Sequence, residues 1–143
     1  MKVSVIIPSL NPDNKLVAVV DALLEEGFKD IIIVNDGSDE EHMAPFNEVA
    51  AHSECTILTH EVNKGKGRGL KTAFEFCLEN RKDIDGVVTV DGDNQHRAKD
   101  IKKCSETMVS TGNVVLGVRD FTGDDVPASS TFGNNMTRGV FKV

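Results

Sequence analysis

A chain of 143 residues and 15.5 kDa has room for one domain. Its 39% hydrophobic content excludes a disordered polymer, and its net charge of −7 excludes the broad basic footprint that nucleic-acid binding requires. Three widely spaced cysteines, Cys55, Cys77 and Cys104, contain no C-x-x-C pair. They fit neither a disulfide framework nor a zinc site and point to a reducing cytosol.

The chain opens with a β-branched run, Lys2–Ile7, stopped by Pro8. That run is too short, too alternating and too poor in small residues at its end to be a signal peptide. No stretch approaches the roughly 20 apolar residues of a membrane span. Asn11 offers a helix N-cap with Pro12 at the first helical position, and Leu16, Val19, Val20, Leu23 and Leu24 follow at helical spacing up to Gly27. Asp30–Val34 is apolar on both faces, as in a buried parallel strand. Asn35-Asp36-Gly37-Ser38 reads as a turn into a weaker acidic helix that runs to about Ala51.

Thr56–Thr59 is a third predicted strand, followed by a glycine loop at 65–69 and a helix with Leu70, Ala73, Phe74, Cys77 and Leu78 on one face. Gly86–Val90 is a fourth strand with Asp91–His96 as its exit turn, and Ile101, Cys104 and Met108 mark another helix. Asn113–Val118 is a fifth strand and Asp120–Pro127 a polar loop. A last helix carries Phe132, Met136, Val140 and Phe141, which pack locally or drive self-association. Strands alternating with helices predict an α/β fold, a mostly parallel sheet with helices on both faces. Ligands of such sheets bind beyond the carboxyl ends of the strands, where four polar or glycine-rich loops of this chain fall.

Charge is unevenly divided. Residues 1–61 carry 12 acidic and 3 basic side chains, so the basic ones gather later, at Lys64, Lys66, Arg68 and Lys71. Three constellations could use these groups. In Asp91-Gly92-Asp93-Asn94-Gln95-His96, two carboxylates and an amide oxygen at alternate positions suit a hard divalent cation; a plain Asp-Gly turn explains the same residues without one. Asp36, past a buried strand, either accepts from a ribose hydroxyl or base N–H, or begins a turn and helix cap. Asn63-Lys64-Gly65-Lys66-Gly67-Arg68-Gly69 joins glycines, a helix start and cations, which favour a diphosphate; the alternative is a solvated basic helix start. Arg119 is either a phosphate clamp or a surface residue. His96 is a ligand, a base or an outer neighbour of the carboxylates, while His42, His52 and His60 share no spacing with other ligands and receive no role.

In their order along the chain, Val5-Ile6-Ile7-Pro8-Ser9-Leu10-Asn11, Ile33-Val34-Asn35-Asp36-Gly37-Ser38, Asn63-Lys64-Gly65-Lys66-Gly67 and Val90-Asp91-Gly92-Asp93-Asn94-Gln95-His96 resemble the family 2 glycosyltransferases, and most closely their dolichyl-phosphate mannose synthase-like branch. The resemblance implies a GT-A fold, inversion at the anomeric carbon, and transfer of a hexose from a GDP- or UDP-linked donor to a lipid phosphate or glycan. It also implies Mg²⁺ or Mn²⁺ as cofactor. Matched by position, Pro8, Asp36, Lys66, Asp91 and Arg119 would bind the nucleotide-sugar, and Asp91, Asp93 and Gln95 would surround the metal. The opening Pro8-Ser9-Leu10-Asn11-Pro12 departs from the usual P-x-Y-N-E, and Ser129-Ser130-Thr131-Phe132-Gly133-Asn134 lacks the arginines that the family usually carries near its Phe-Gly-Asn.

The family's acceptor-side half and its acidic base are expected beyond Val143, which would make residues 1–143 an incomplete GT-A domain with no catalytic residue of its own. The location implied is cytoplasmic, or at a membrane surface. Two other classes stay open: a non-catalytic nucleotide-sugar-binding fragment, and a flavodoxin- or response-regulator-like signalling domain.

Overall fold

The computed structural model describes residues 1–117. Four strands, β1 (Val3–Ser9), β2 (Ile31–Asp36), β3 (Cys55–His60) and β4 (Gly86–Thr89), form one parallel sheet in the order β3-β2-β1-β4. Between them run α1 (Asn14–Glu25), a 3-10 turn at Glu40–His42 with α2 (Ala44–Val49), and α3 (Lys66–Asn80); α4 (Ala98–Thr111) follows β4.

Alternation along the strands divides the core. Val5, Ile7, Ile31 and Ile33 face α1, α2 and α4, packing with Leu16, Val20, Leu23, Phe46, Val49 and Ile101. Ile6, Ile32 and Val34 face the other way, onto Ala73 and Cys77 of α3. Every residue of β2 is buried, because the strand is central and covered on both sides. The parallel sheet with helices on both faces is therefore as the periodicity predicts.

Several boundaries differ from the sequence reading. β1 continues through Pro8 to Ser9. In a parallel strand successive residues direct their backbone groups to opposite neighbours. The Val5 N–H donates to Asp30 on the β2 side, and the Ile6 carbonyl accepts from Val90 on the β4 side. Pro8 is in phase with Ile6, so its missing N–H points to the side where β4 has already ended at Thr89. The cap of α1 is Asp13, whose carboxylate accepts from the Lys15 amide at 2.9 Å. Asn11 is instead left-handed, with φ 47°, and its side chain accepts from the Asp39 amide while its own amide donates to Ser38. The loops after β1 and β2 are thus tied to each other.

Helix α3 begins at Lys66, so the glycine loop ends sooner than expected. Its buried face is Gly69, Ala73 and Cys77; Phe74 and Leu78 are exposed, Leu78 at 78%. Residues 113–117 form no strand, and Val114 and Leu116 stand in solvent. The remainder of that expected strand, the loop at Asp120–Pro127 and the last helix with its self-association residues lie outside the described residues. All three cysteines are free thiols, and burial pushes that of Cys55 up to about 11, which keeps it unreactive.

At the amino ends of the strands, Arg81 grips Asp30 through Nε at 3.0 Å and a second nitrogen at 3.1 Å, and Ser4 donates to the same carboxylate. This clamp fixes the end of α3 to the start of β2. Asp30→Ala is expected to lower stability by about 1–2 kcal/mol, since the pair is only partly screened from water. Urea unfolding measures it; an unchanged midpoint would show the clamp to be energetically idle.

Candidate functional site

Because all four strands run parallel, Ser9, Asp36, His60 and Thr89 end at one rim. The chain adds β2 and β3 on one side of β1 and then β4 on the other. The crevice of such a sheet opens where the winding reverses, here above β1.

Asp36 lies on the α3 face of the sheet, with only 5% of its side chain exposed. Its Oδ1 accepts from His60 Nδ1 at 2.7 Å and from the Lys64 amide at 2.9 Å; Oδ2 accepts from the Gly65 amide at 2.9 Å. Burial alone would push this carboxyl's pKa up. The hydrogen bonds from His60 and the two amides outweigh it and hold the carboxyl below the ordinary aspartate value. Asp36 thereby pins the segment that leads into α3.

His60, which its spacing gives no reason to single out, is the rim residue that the sequence reading leaves without a role. It sits directly opposite Asp36 in the β2–β3 register, and its Nε2 lies 2.8 Å from the Thr72 hydroxyl. The available signal was positional: two polar residues closing neighbouring apolar strands on the same face.

Gly65 caps α3 with φ 94°, a conformation that glycine accepts without strain. The following amides of Lys66, Gly67 and Arg68 belong to an exposed first turn, where helix geometry leaves N–H groups without intrahelical partners. Together with the Lys66 ammonium they form an electropositive end suited to a phosphate. Gly69 brings the same turn against Pro8 and Val34, each within 3.6 Å of a Cβ built there. Pro8 thus lies beneath the helix start.

The Lys66 ammonium reaches across the crevice to Asp91 and makes an ion pair with its Oδ1. That contact holds the Asp91 carboxyl below the usual carboxylate range. His96 Nε2 approaches the other oxygen at 3.7 Å. Gly92 packs over Ser9 and Ile7, so that a Cβ would come within 3.1 Å of the Ser9 hydroxyl, a buried oxygen with no partner among the described residues. Asp93 is exposed, and its Oδ1 accepts from the Gln95 amide at 3.2 Å.

Among the described residues no three His, Cys, Asp or Glu side chains converge on a ready-made metal cage. The oxygens of Asp91, Asp93 and Gln95 are nonetheless the donor type that a hard divalent cation takes, and Asp91 already receives a cationic group. By its chemistry the donor set fits Mg²⁺ or Mn²⁺, whose shell would need further oxygens to be complete. The structure brings Pro8, Asp36, Lys66 and Asp91 to one rim. Arg119 lies outside the described residues.

Residues 4–136 match the family model described as Glycosyl transferase family 2. Over 119 residues the chain is 29% identical to an uncharacterized protein of Methanocaldococcus jannaschii, covering 82% of this chain and 46% of that protein. It is 27% identical over 148 residues to a UDP-N-acetylglucosamine–dolichyl-phosphate N-acetylglucosaminyltransferase of Methanococcus voltae, covering 90% of this chain and 57% of the relative. A mannosyltransferase of Pyrobaculum calidifontis, solved with GDP-Man and Mn²⁺, superposes with a TM-score of 0.62 at 18% identity, over 75% of this chain and 32% of that one. TarS of S. aureus gives 0.56 at 20% identity, over 90% and 39%. Both likenesses bear on the fold, which is GT-A. The chain spans about half the length of the curated relatives it matches.

Proposed function

We propose a function on one premise: the chain belongs to glycosyl transferase family 2. On that premise it is the donor-binding portion of an inverting glycosyltransferase. The donor is a GDP- or UDP-linked hexose, and the acceptor of the whole protein is a polyprenyl phosphate or a glycan. The observation that carries this reading is the Lys66–Asp91 contact across the crevice, which sets a cation-accepting carboxylate beside the electropositive start of α3. A nucleoside diphosphate with its divalent cation has the complementary charges. A dolichyl-phosphate-acting relative supports the lipid acceptor, which would place the reaction at a cytoplasmic membrane surface. Among the described residues no helix is long and apolar enough to cross a membrane.

In this reading Pro8 lines the nucleoside pocket, and Asp36 fixes the loop from which the Lys64 and Gly65 amides emerge. The first-turn amides of α3 and the Lys66 ammonium stabilise negative charge that grows on the departing diphosphate. Arg119 is assigned to the same phosphates. Asp91, Asp93 and Gln95 would hold Mg²⁺ or Mn²⁺, which when bound supplies Lewis-acid stabilisation of that charge. None of the described residues is assigned as the base for an acceptor hydroxyl; a phosphate acceptor needs none.

Calorimetry with GDP and UDP tests the reading. Mn²⁺ is expected to tighten binding of one of them by about tenfold or more, and Asp93→Ala to remove that gain. Equal affinity with and without Mn²⁺ would overturn it. Turnover of the donor by the 143-residue chain alone would separate a catalytic unit from a binding fragment.

A further inference from the structure

The least expected group at the rim is His60. Histidine at a strand's end is common on protein surfaces, but this ring is buried, at 8% exposure, and both of its nitrogens have partners on different elements. A neutral ring with its proton on Nδ1 donates to Asp36, and its Nε2 then accepts from the Thr72 hydroxyl. Asp36 closes β2, His60 closes β3, and Thr72 lies in the second turn of α3.

The ring therefore reaches α3 by two routes. One runs through Asp36 to the Lys64 and Gly65 amides, immediately before the helix; the other goes directly to Thr72. A helix start that follows a glycine at φ 94° and contains Gly67 and Gly69 has little conformational restraint of its own. Whatever fixes its direction must come from outside the segment.

We propose that His60 is a positioning residue for the donor diphosphate: by holding Asp36 and Thr72 together it sets the start of α3, with Lys66, in the orientation that receives the phosphates. The inference rests on the proposed function for its ligand, though not for its geometry. In this role His60 acts through Asp36 and Thr72 and not by contact with the nucleotide or the metal. It removes freedom that binding would otherwise have to remove.

Two substitutions separate this role from mere packing. In His60→Asn the side-chain amide can place a donor where Nδ1 stands. In His60→Gln it can reach Thr72 but leaves no donor toward Asp36. The probe is GDP or UDP with Mn²⁺, whichever the unaltered chain binds more tightly. Each variant keeps one contact of the bridge and breaks the other, so both are expected to weaken binding: by about tenfold in His60→Gln, the scale of a hydrogen bond to a charged group, and by about threefold in His60→Asn, which loses only the neutral contact to Thr72. Amide exchange at Lys64 and Gly65 should quicken in His60→Gln while that of Ile31–Val34 does not change.

Unchanged affinity in either variant overturns the inference, since each breaks one half of the bridge. If the unaltered chain binds neither nucleotide, the proposed function fails, and the exchange comparison still judges His60. Should His60→Gln not fold, Thr72→Val serves in its place: faster exchange at Lys64 and Gly65 supports the role, and unchanged rates overturn it.

Discussion

Gly37→Ala is expected to destabilise the chain by about 3 kcal/mol, near a 10 °C fall in melting temperature for a domain of this size. Two effects add. Gly37 has φ 74°, a left-handed conformation in which any Cβ is strained, and the added carbon would stand 2.4 Å from both the Asn63 nitrogen and the Val62 carbonyl carbon. These are backbone atoms, so no rotamer change relieves the overlap. The whole 62–63 segment must move, and it leads directly to the amides that Asp36 holds. Gly67→Ala is the matched comparison. It lies in the first turn of α3 with open space around its Cβ position, so it should be neutral or stabilising by several tenths of a kcal/mol. Thermal melts of both variants check the contrast, and a Gly37→Ala midpoint close to that of the unaltered chain would refute it.

The different visibility of these two glycines shows what periodicity can and cannot report. Burial alternates along strands and recurs along helices, so β2, with Ile-Ile-Ile-Val, and α1, with Leu16, Val19, Val20 and Leu23, stand out in the sequence. Features decided by a neighbour do not. Pro8 fits inside β1 only because β4 ends short of it, and Asn11 yields the cap to Asp13 because its side chain engages Ser38 and Asp39. The face of α3 turns toward Gly69, Ala73 and Cys77, leaving Phe74 and Leu78 outward, since close approach to Pro8 and Val34 favours a residue with no side chain. Asn113–Val118 has a strand's composition, but composition does not supply a pairing partner, and its described part forms none.

The candidate site divides in the same way. Lys66 and Asp91 are legible as members of two motifs, while their meeting across 25 positions depends on the parallel order of β1 and β4. His60 carries no motif. Its importance exists only in the register that sets it opposite Asp36.

Asp36→Ala should produce the larger loss at the site, about 3 kcal/mol, because it leaves a buried imidazole donor and the Lys64 and Gly65 amides without their acceptor. Asp36→Asn is informative in a different way. Whichever way its amide is turned, the NH₂ group meets an N–H donor: His60 and Lys64 on one side, or Gly65 on the other. Turned toward Gly65, the less costly orientation, it loses one hydrogen bond and makes one donor–donor contact, for about 2 kcal/mol; turned the other way it disrupts two. The pH dependence separates charge from shape. The folded-state pKa of Asp36 is depressed, so its stabilisation is complete above the ordinary aspartate value of 3.8 and is lost as pH falls through the lower native value. Denaturant unfolding of the unaltered chain should therefore weaken as pH drops below about 4, and that slope should flatten in Asp36→Asn. Parallel slopes in the two proteins would place the acid sensitivity elsewhere, on Asp91 with its Lys66 partner or Asp83 with Lys2, and would leave Asp36 acting by shape alone.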